Sequence, residues 1–215
     1  MANEFEKIEL DITEEIINIG LSKAADSLSF FLKEKVLIQL LELKINSENY
    51  SSLSFKNNLQ KSYLLTTNIK GDIGGKAYLV LSESEVEKVI EVNLSDSIKN
   101  NLVEKEKMTD AILLELDNII TASVITQFAN ILQIKLYGDV PLLDVLEQNL
   151  LNPFLQENNK DDFKVIYFNS RFITENLDIN PEFIWLMDNN FFNGVKKIVS
   201  DEKKINLLHK LNALS

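Results

Sequence analysis

With 215 residues and 45% hydrophobic content, the chain can build one sizeable core, or two small halves fused through a shared sheet, and its composition excludes general disorder. The 33 acidic against 22 basic residues leave a net charge of −11, which argues against nucleic acid, whose binding draws on clustered Lys and Arg, and favours a protein partner with a basic rim. The absence of cysteine and the single histidine, His209, exclude disulfides, thiolate metal sites, Cys nucleophiles and multi-His metal centres.

Met1 to Glu9 is acidic and polar where an export signal would need a basic flank and an apolar run, and no uninterrupted apolar stretch approaches membrane-spanning length. The expectation is a cytoplasmic protein without membrane insertion. Asp11, with Glu14 three residues later, reads as a helix start. Ile12, Ile16, Ile19, Ala24, Leu28 and Phe31 then hold an apolar stripe near helical period to about Lys33, and Asp11, Glu15, Asn18 and Ser22 form the opposing polar stripe. Lys35 to Ile45 has extended character, with helix as the competing reading because Leu is abundant, and Asn46 to Ser52 is a polar loop.

Tyr63–Ile69 and Lys76–Leu81 are strand-like, and the glycines of Lys70-Gly71-Asp72-Ile73-Gly74-Gly75 between them supply a hairpin turn. That segment lacks the Gly-Lys-Ser/Thr ending of a phosphate-binding loop. Ser82 to Leu94 follows as a helix with a Ser cap and early Glu residues, and the polar stretch Ser95 to Lys107 reads as a connection.

The pattern then restarts. Thr109 can cap a helix that runs through Leu113, Leu116, Ile120, Val124, Phe128, Ile131 and Leu132 to about Lys135, broken by Gly138 and Pro141. Leu142 to Asn152 reads as a short helix and Pro153 to Asp162 as a loop. Phe163–Phe168 and Glu182–Met187 make a second strand pair, joined through Asn180 and Pro181, with Trp185 and Tyr78 as core or sheet-face residues. Phe191–Val199 and Asp201–Leu214 close the chain in helix, with His209 as a surface or helix-packing residue.

The same order of elements in each half predicts an α/β fold of the α+β type. It is one domain, 1–215, made of half-repeats at about 11–94 and 109–200 plus a C-terminal helix at 201–215. The halves would be related by a pseudo-two-fold, sharing a mostly antiparallel sheet with the two long helices on one face.

Glu-x-x-Asn occurs at Glu15/Asn18 and again at Glu115/Asn118, at a constant offset of 100 residues. Residues three apart on a helix share a face, so each copy presents a carboxylate and an amide together. Composition alone gives about two such matches by chance in a chain of this length. Placement raises the signal, because both copies lie early in the two longest helices and Asn is a poor helix former that needs a reason to be there.

The run Asp11-x-x-x-Glu15-x-x-Asn18-Ile19-Gly20, followed by Ala24 and Leu28, resembles the signature helix of the CheC/CheX/FliY chemotaxis phosphatases. Glu115-x-x-Asn118-Ile119 with Pro141 downstream resembles the same signature, and Gly71 to Glu85 is similar to that family's hairpin and following helix. The two-site arrangement is most like CheC. The resemblance implies hydrolysis of the phosphoaspartate on a CheY-type response regulator. Glu15 and Glu115 would anchor the regulator's lysine, Asn18 and Asn118 would position the attacking water, and Asp11, Gly20 and Pro141 would support them. No cofactor would be bound by this chain, since Mg2+ would sit in the partner regulator. A CheD-like protein is a further implied partner.

Two departures stand out. Ala111 occupies the place of the usual Asp or Ser before Glu115, and Gln39 and Leu40 stand where the first copy would carry a proline. Each station thus departs from the pattern in a different way, and the first is placed slightly ahead of the second because Asp11 and Gly20 are present. Two rival readings remain: a non-catalytic module that binds a regulator or a flagellar switch component, and a pair of helices whose Glu and Asn serve only to join the halves. Asp161-Asp162 and Asp201-Glu202 lack the ligand spacing of a calcium loop.

Overall fold

A computed structural model describes residues 7–46, 61–147, 150–158 and 163–199. In chain order the elements are α1 (Lys7–Leu32), β1 (Leu37–Asn46), β2 (Lys61–Gly71), β3 (Gly75–Ser82), α2 (Glu83–Asn93), α3 (Asp96–Lys99) and α4 (Leu102–Leu132). They continue with β4 (Leu136–Gly138), β5 (Leu142–Glu147), α5 (Leu151–Asn158), β6 (Lys164–Ile173), β7 (Asp178–Ile179), β8 (Glu182–Met187) and α6 (Asn189–Val199).

The strands form one antiparallel sheet in the order β1-β6-β8-β3-β2, with β4 and β5 sharing the outer edge of β2 and β7 on β6. Exchanging β1 with β5, β2 with β6 and β3 with β8 leaves this order unchanged, which is the pseudo-two-fold the sequence leads one to expect. Each half sends its first strand to the edge of the other half, and β3 meets β8 at the centre.

The repeat is more detailed than the sequence reveals. In β1 the register slips by one residue at Leu41, between Leu40 and Glu42. In the other half, Ile69 pairs with Gly138 but Thr66 pairs with Leu142, so one extra residue is again accommodated, next to Pro141. Thus β4 and β5 correspond to one bulged strand, bent at the position where β1 is bent. Both long helices also end on a left-handed non-glycine residue 100 positions apart, Lys33 at φ 57° and Gln133 at φ 58°.

Several boundaries differ from expectation. Helix α1 is already formed at Lys7, so Asp11 lies inside it on the exposed side and caps nothing. Helix α4 begins at Leu102, where the Asn101 side chain accepts from the Glu104 N–H, and Thr109 is a buried residue two turns in, its hydroxyl donating to the Lys105 carbonyl. The first turns of α4 are largely exposed, so they carry no apolar stripe to announce them. Leu142–Asn152 is not a helix: its first half is strand β5, and helix begins only at Leu151, running through Pro153. The proline sits in the first turn of α5, where its missing N–H costs nothing. The expected helix at Asp201–Leu214, His209 and the pairs Asp161-Asp162 and Asp201-Glu202 lie outside the described residues.

Helices α1 and α4 cover one face of the sheet, burying Ile16, Ile17, Leu28, Leu113, Val124 and Phe128 with Leu79, Phe168 and Trp185. Trp185 sits between the rings of Phe128 (6.0 Å) and Phe168 (5.9 Å). On the other face, Leu151 and Leu155 of α5 pack on Leu64, Tyr78, Ile184 and Leu186. By length and composition α4 is a helix that could cross a membrane, although charged residues interrupt its apolar run, and half of its apolar window is buried inside this protein.

The β2–β3 hairpin turn has a firm steric basis. Gly71 has φ +128°, and a Cβ there would stand 2.1 Å from the Lys135 carbonyl oxygen, so only glycine fits. Asp72 completes the clasp, its N–H donating to Lys135 O at 2.8 Å while its carboxylate accepts from Lys135 N at 2.9 Å. The end of α4 is thereby tied to the hairpin.

Candidate functional site

The two long helices pack directly on one another, and Gly20 sets how closely. A Cβ built on Gly20 would lie 2.7 Å from the Val124 Cα and 2.9 Å from its Cγ2, so the backbones cross where a side chain cannot be accommodated. Helix α6 fixes the relative direction. Its Lys196 reaches Glu9 at the start of α1 (3.9 Å), while its Gly194 lies on Leu132 at the end of α4. Moving from Gly20 back to Glu9 therefore parallels moving from Val124 forward to Leu132, and the helices are antiparallel.

On this frame Asp11, Glu15, Asn18 and Ser22 form one stripe of α1, and Ala111, Glu115, Asn118 and Ala122 form the equivalent stripe of α4. Glu115, Asn118 and Ala111 are exposed, as is Asp11, whereas Glu15 and Asn18 are half-buried. Neither station lies in the hydrophobic interior. With the Gly20–Val124 crossing as origin and a rise of 1.5 Å per residue, Asn18 and Asn118 are offset by about 12 Å along the helix pair. Each carboxylate lies one turn from its amide. Among the described residues, neither Asn side chain is engaged in a hydrogen bond.

The three supporting positions have distinct places. Asp11 is one turn before Glu15 on the same stripe. Gly20 is buried at the helix crossing, a packing residue and not a group that faces a ligand. Pro141 is buried between β4 and β5, at the bend of the edge strand. Gln39 and Leu40 lie in β1 immediately before its bulge.

Asp117, beside Asn118, was not singled out by sequence reasoning. It is fully buried on the opposite side of α4, accepting from Thr67 Oγ1 of β2 (2.7 Å) and from Thr121 Oγ1 (2.9 Å). Burial pushes its carboxyl up to about 6, against the opposing effect of the two hydroxyl donors. The equivalent position in α1 is the buried Ile17. An acid in phase with the apolar stripe Leu113, Leu116 and Ile120 was the available signal.

This arrangement can orient small polar species and engage a cation. Among the described residues no group of three or more His, Cys, Asp or Glu is placed to hold a metal ion. What the two stations supply is an amide, which can both donate and accept without titrating, next to a carboxylate on a surface another protein can reach.

No family model matches the chain. Its fold is similar to that of FliY from Thermotoga maritima, with 17% identity, 93% of this chain and 99% of that chain covered, and a TM-score of 0.67. It is also similar to CheX from Borrelia burgdorferi, solved in a complex with CheY, BeF3 and Mg2+, with 16% identity, 80% of this chain and 97% of that one covered, and a TM-score of 0.51. A third likeness is to the FliG–FliM complex from H. pylori, with 13% identity, 87% and 98% covered, and a TM-score of 0.56. At these identities the likenesses establish the fold.

Proposed function

We propose that this chain is a phosphatase of the CheC/CheX/FliY kind, a cytoplasmic chemotaxis protein that hydrolyses the phosphoaspartate of a CheY-type response regulator. The observation that carries the reading is the display of two Glu-x-x-Asn stations on equivalent stripes of an antiparallel helix pair, outside the core. The same fold occurs in a CheX that has been solved with CheY, BeF3 and Mg2+.

In this reading Asn18 and Asn118 each hold the attacking water in line with the phosphorus, accepting from it and donating to it. Glu15 and Glu115 pair with a lysine of the regulator and hold its acyl phosphate against the amide. Phosphoryl transfer needs chiefly orientation and charge compensation, so an untitrated amide suffices. Magnesium enters with the regulator. The half-repeats at about 11–94 and 109–200 act as one domain with two stations, and a CheD-like protein is a candidate modulator.

The likeness to FliM, solved with FliG, favours a second reading, a regulator-binding or switch-scaffold module without catalysis. One experiment separates the two: incubate the purified chain with an acyl-phosphorylated CheY-type regulator and magnesium and follow phosphate release and binding together. Accelerated release supports the phosphatase. Saturable binding without acceleration supports the module.

A further inference from the structure

The two halves differ in how their last helix sits. Helix α6 packs on both long helices, with Phe191 against Phe128 (4.9 Å between ring centroids). Its counterpart α2 rests on β2, β3 and β7 instead. It is drawn there by Glu85, which accepts from the Ser82 and Asn180 backbone N–H groups, and by Lys88, which donates to the Asp178 carbonyl (3.0 Å). A groove of about 470 Å³ consequently opens between α2 and the first turns of α4, over the edge of the sheet.

Val86, Ile90, Leu102 and Val145 line it, and Leu102 and Val145 are 81% and 51% exposed. Its charge is one-sided. Among the described residues, Lys61 is matched by Glu83 at 3.7 Å, leaving Glu87, Glu106 and Asp110 facing the groove against Lys105. Partial burial and the neighbouring Glu106 hold the Asp110 carboxyl above its usual range, as expected for a rim short of positive charge.

We infer that this groove docks an amphipathic helix of another protein, one that lays Leu-sized side chains on the apolar floor and sets Lys or Arg against Glu87, Glu106 and Asp110. The size suits two or three such side chains, and the sign of the rim selects the cation. The site is separate from the Glu115–Asn118 stripe, and its occupancy does not depend on the chain being a phosphatase. Among the described residues, the other half has α6 packed on α1, where α2 stands off from α4.

The probe is a fluorescent synthetic peptide of about 18 residues with Leu at helical i, i+3, i+4 spacing and Lys elsewhere, titrated into the full chain by anisotropy beside a counterpart with Glu in place of Lys. Saturable binding of the Lys peptide alone is expected, weakened at least about tenfold by Glu106→Lys with Asp110→Lys and less than about threefold by the charge-matched surface pair Glu157→Lys with Glu175→Lys. Circular dichroism verifies that each variant is folded. Equal weakening by both pairs would reduce the attraction to net charge and overturn the site, as would the absence of saturable binding. A dimer of the chain dispersed by the peptide would make a second copy the occupant and overturn the assignment to a foreign partner.

Discussion

Thr67 Oγ1 donates to the buried Asp117 Oδ2 at 2.7 Å, joining the middle of β2 to helix α4 one residue from Asn118. Among the described residues its partners are the hydroxyls of Thr67 and Thr121, with no cation beside them, and burial lifts the carboxyl to about 6. Between its ordinary value of 3.8 and about 6 the folded chain therefore holds a proton that the unfolded chain has released. The group's contribution to stability falls as pH rises through that window and is level above it, a loss of about 3 kcal/mol if the whole shift is realised. Denaturant unfolding of the native chain and Asp117→Asn at pH 4.5, 6 and 8 checks this. Relative to the native chain, the variant gains stability toward pH 8, and parallel pH profiles would contradict it.

Gly20→Ala places a methyl group 2.7 Å from the Val124 Cα. The helices must separate, at an expected cost of about 1–3 kcal/mol in thermal or denaturant unfolding. Because the nearest atom is backbone, trimming the side chain with Val124→Ala restores only part of the loss. Full rescue by that second change would show that the Val124 side chain alone sets the crossing.

How far the sequence disclosed this molecule depends on what each residue reports. Burial is legible: the stripes Ile12–Leu28 and Leu113–Leu132 and the Gly71–Gly75 turn lie as read, because apolar period and glycine both reflect contacts with the core or close backbone approach. Helix outside the core is not legible that way, and Leu102–Met108 reads as a polar connection because an exposed helix shows no stripe. Leu142–Glu147 reads as helix in the sequence because an edge strand with both faces partly open loses the alternation that identifies a strand. The stations were visible as spacing. Asp117 was hidden in an otherwise apolar phase, and the groove was hidden altogether, since it arises from α2 being pulled toward Asp178 and Asn180.

The capping box at the start of α2 offers a local test of the hairpin-to-helix junction. Ser82 Oγ accepts from the Glu85 N–H (3.2 Å), and the Glu85 carboxylate accepts from both the Ser82 N–H (2.9 Å) and its hydroxyl (2.7 Å). Ser82→Ala is expected to cost about 1 kcal/mol, measured by denaturant unfolding. No change would mean that tertiary contacts alone hold α2 in place.

The two members of each station should fail differently. With only one station left intact, replacing its Glu by Gln weakens the hold on the regulator and raises KM, whereas replacing its Asn by Ala removes water orientation and lowers kcat with KM little changed. Steady-state phosphate release over a range of regulator concentrations reads this split. The same kinetic defect from both substitutions would argue against separate roles for carboxylate and amide.

The most direct measurement is phosphate release from an acyl-phosphorylated CheY-type regulator, with magnesium, in the presence of the native chain, Asn18→Ala, Asn118→Ala and the double variant, each verified as folded. The account predicts acceleration by the native chain, partial loss in each single variant, and a return to the regulator's own rate in the double variant. Acceleration that survives the loss of both amides, or a native chain that binds the regulator and leaves its rate unchanged, would contradict it.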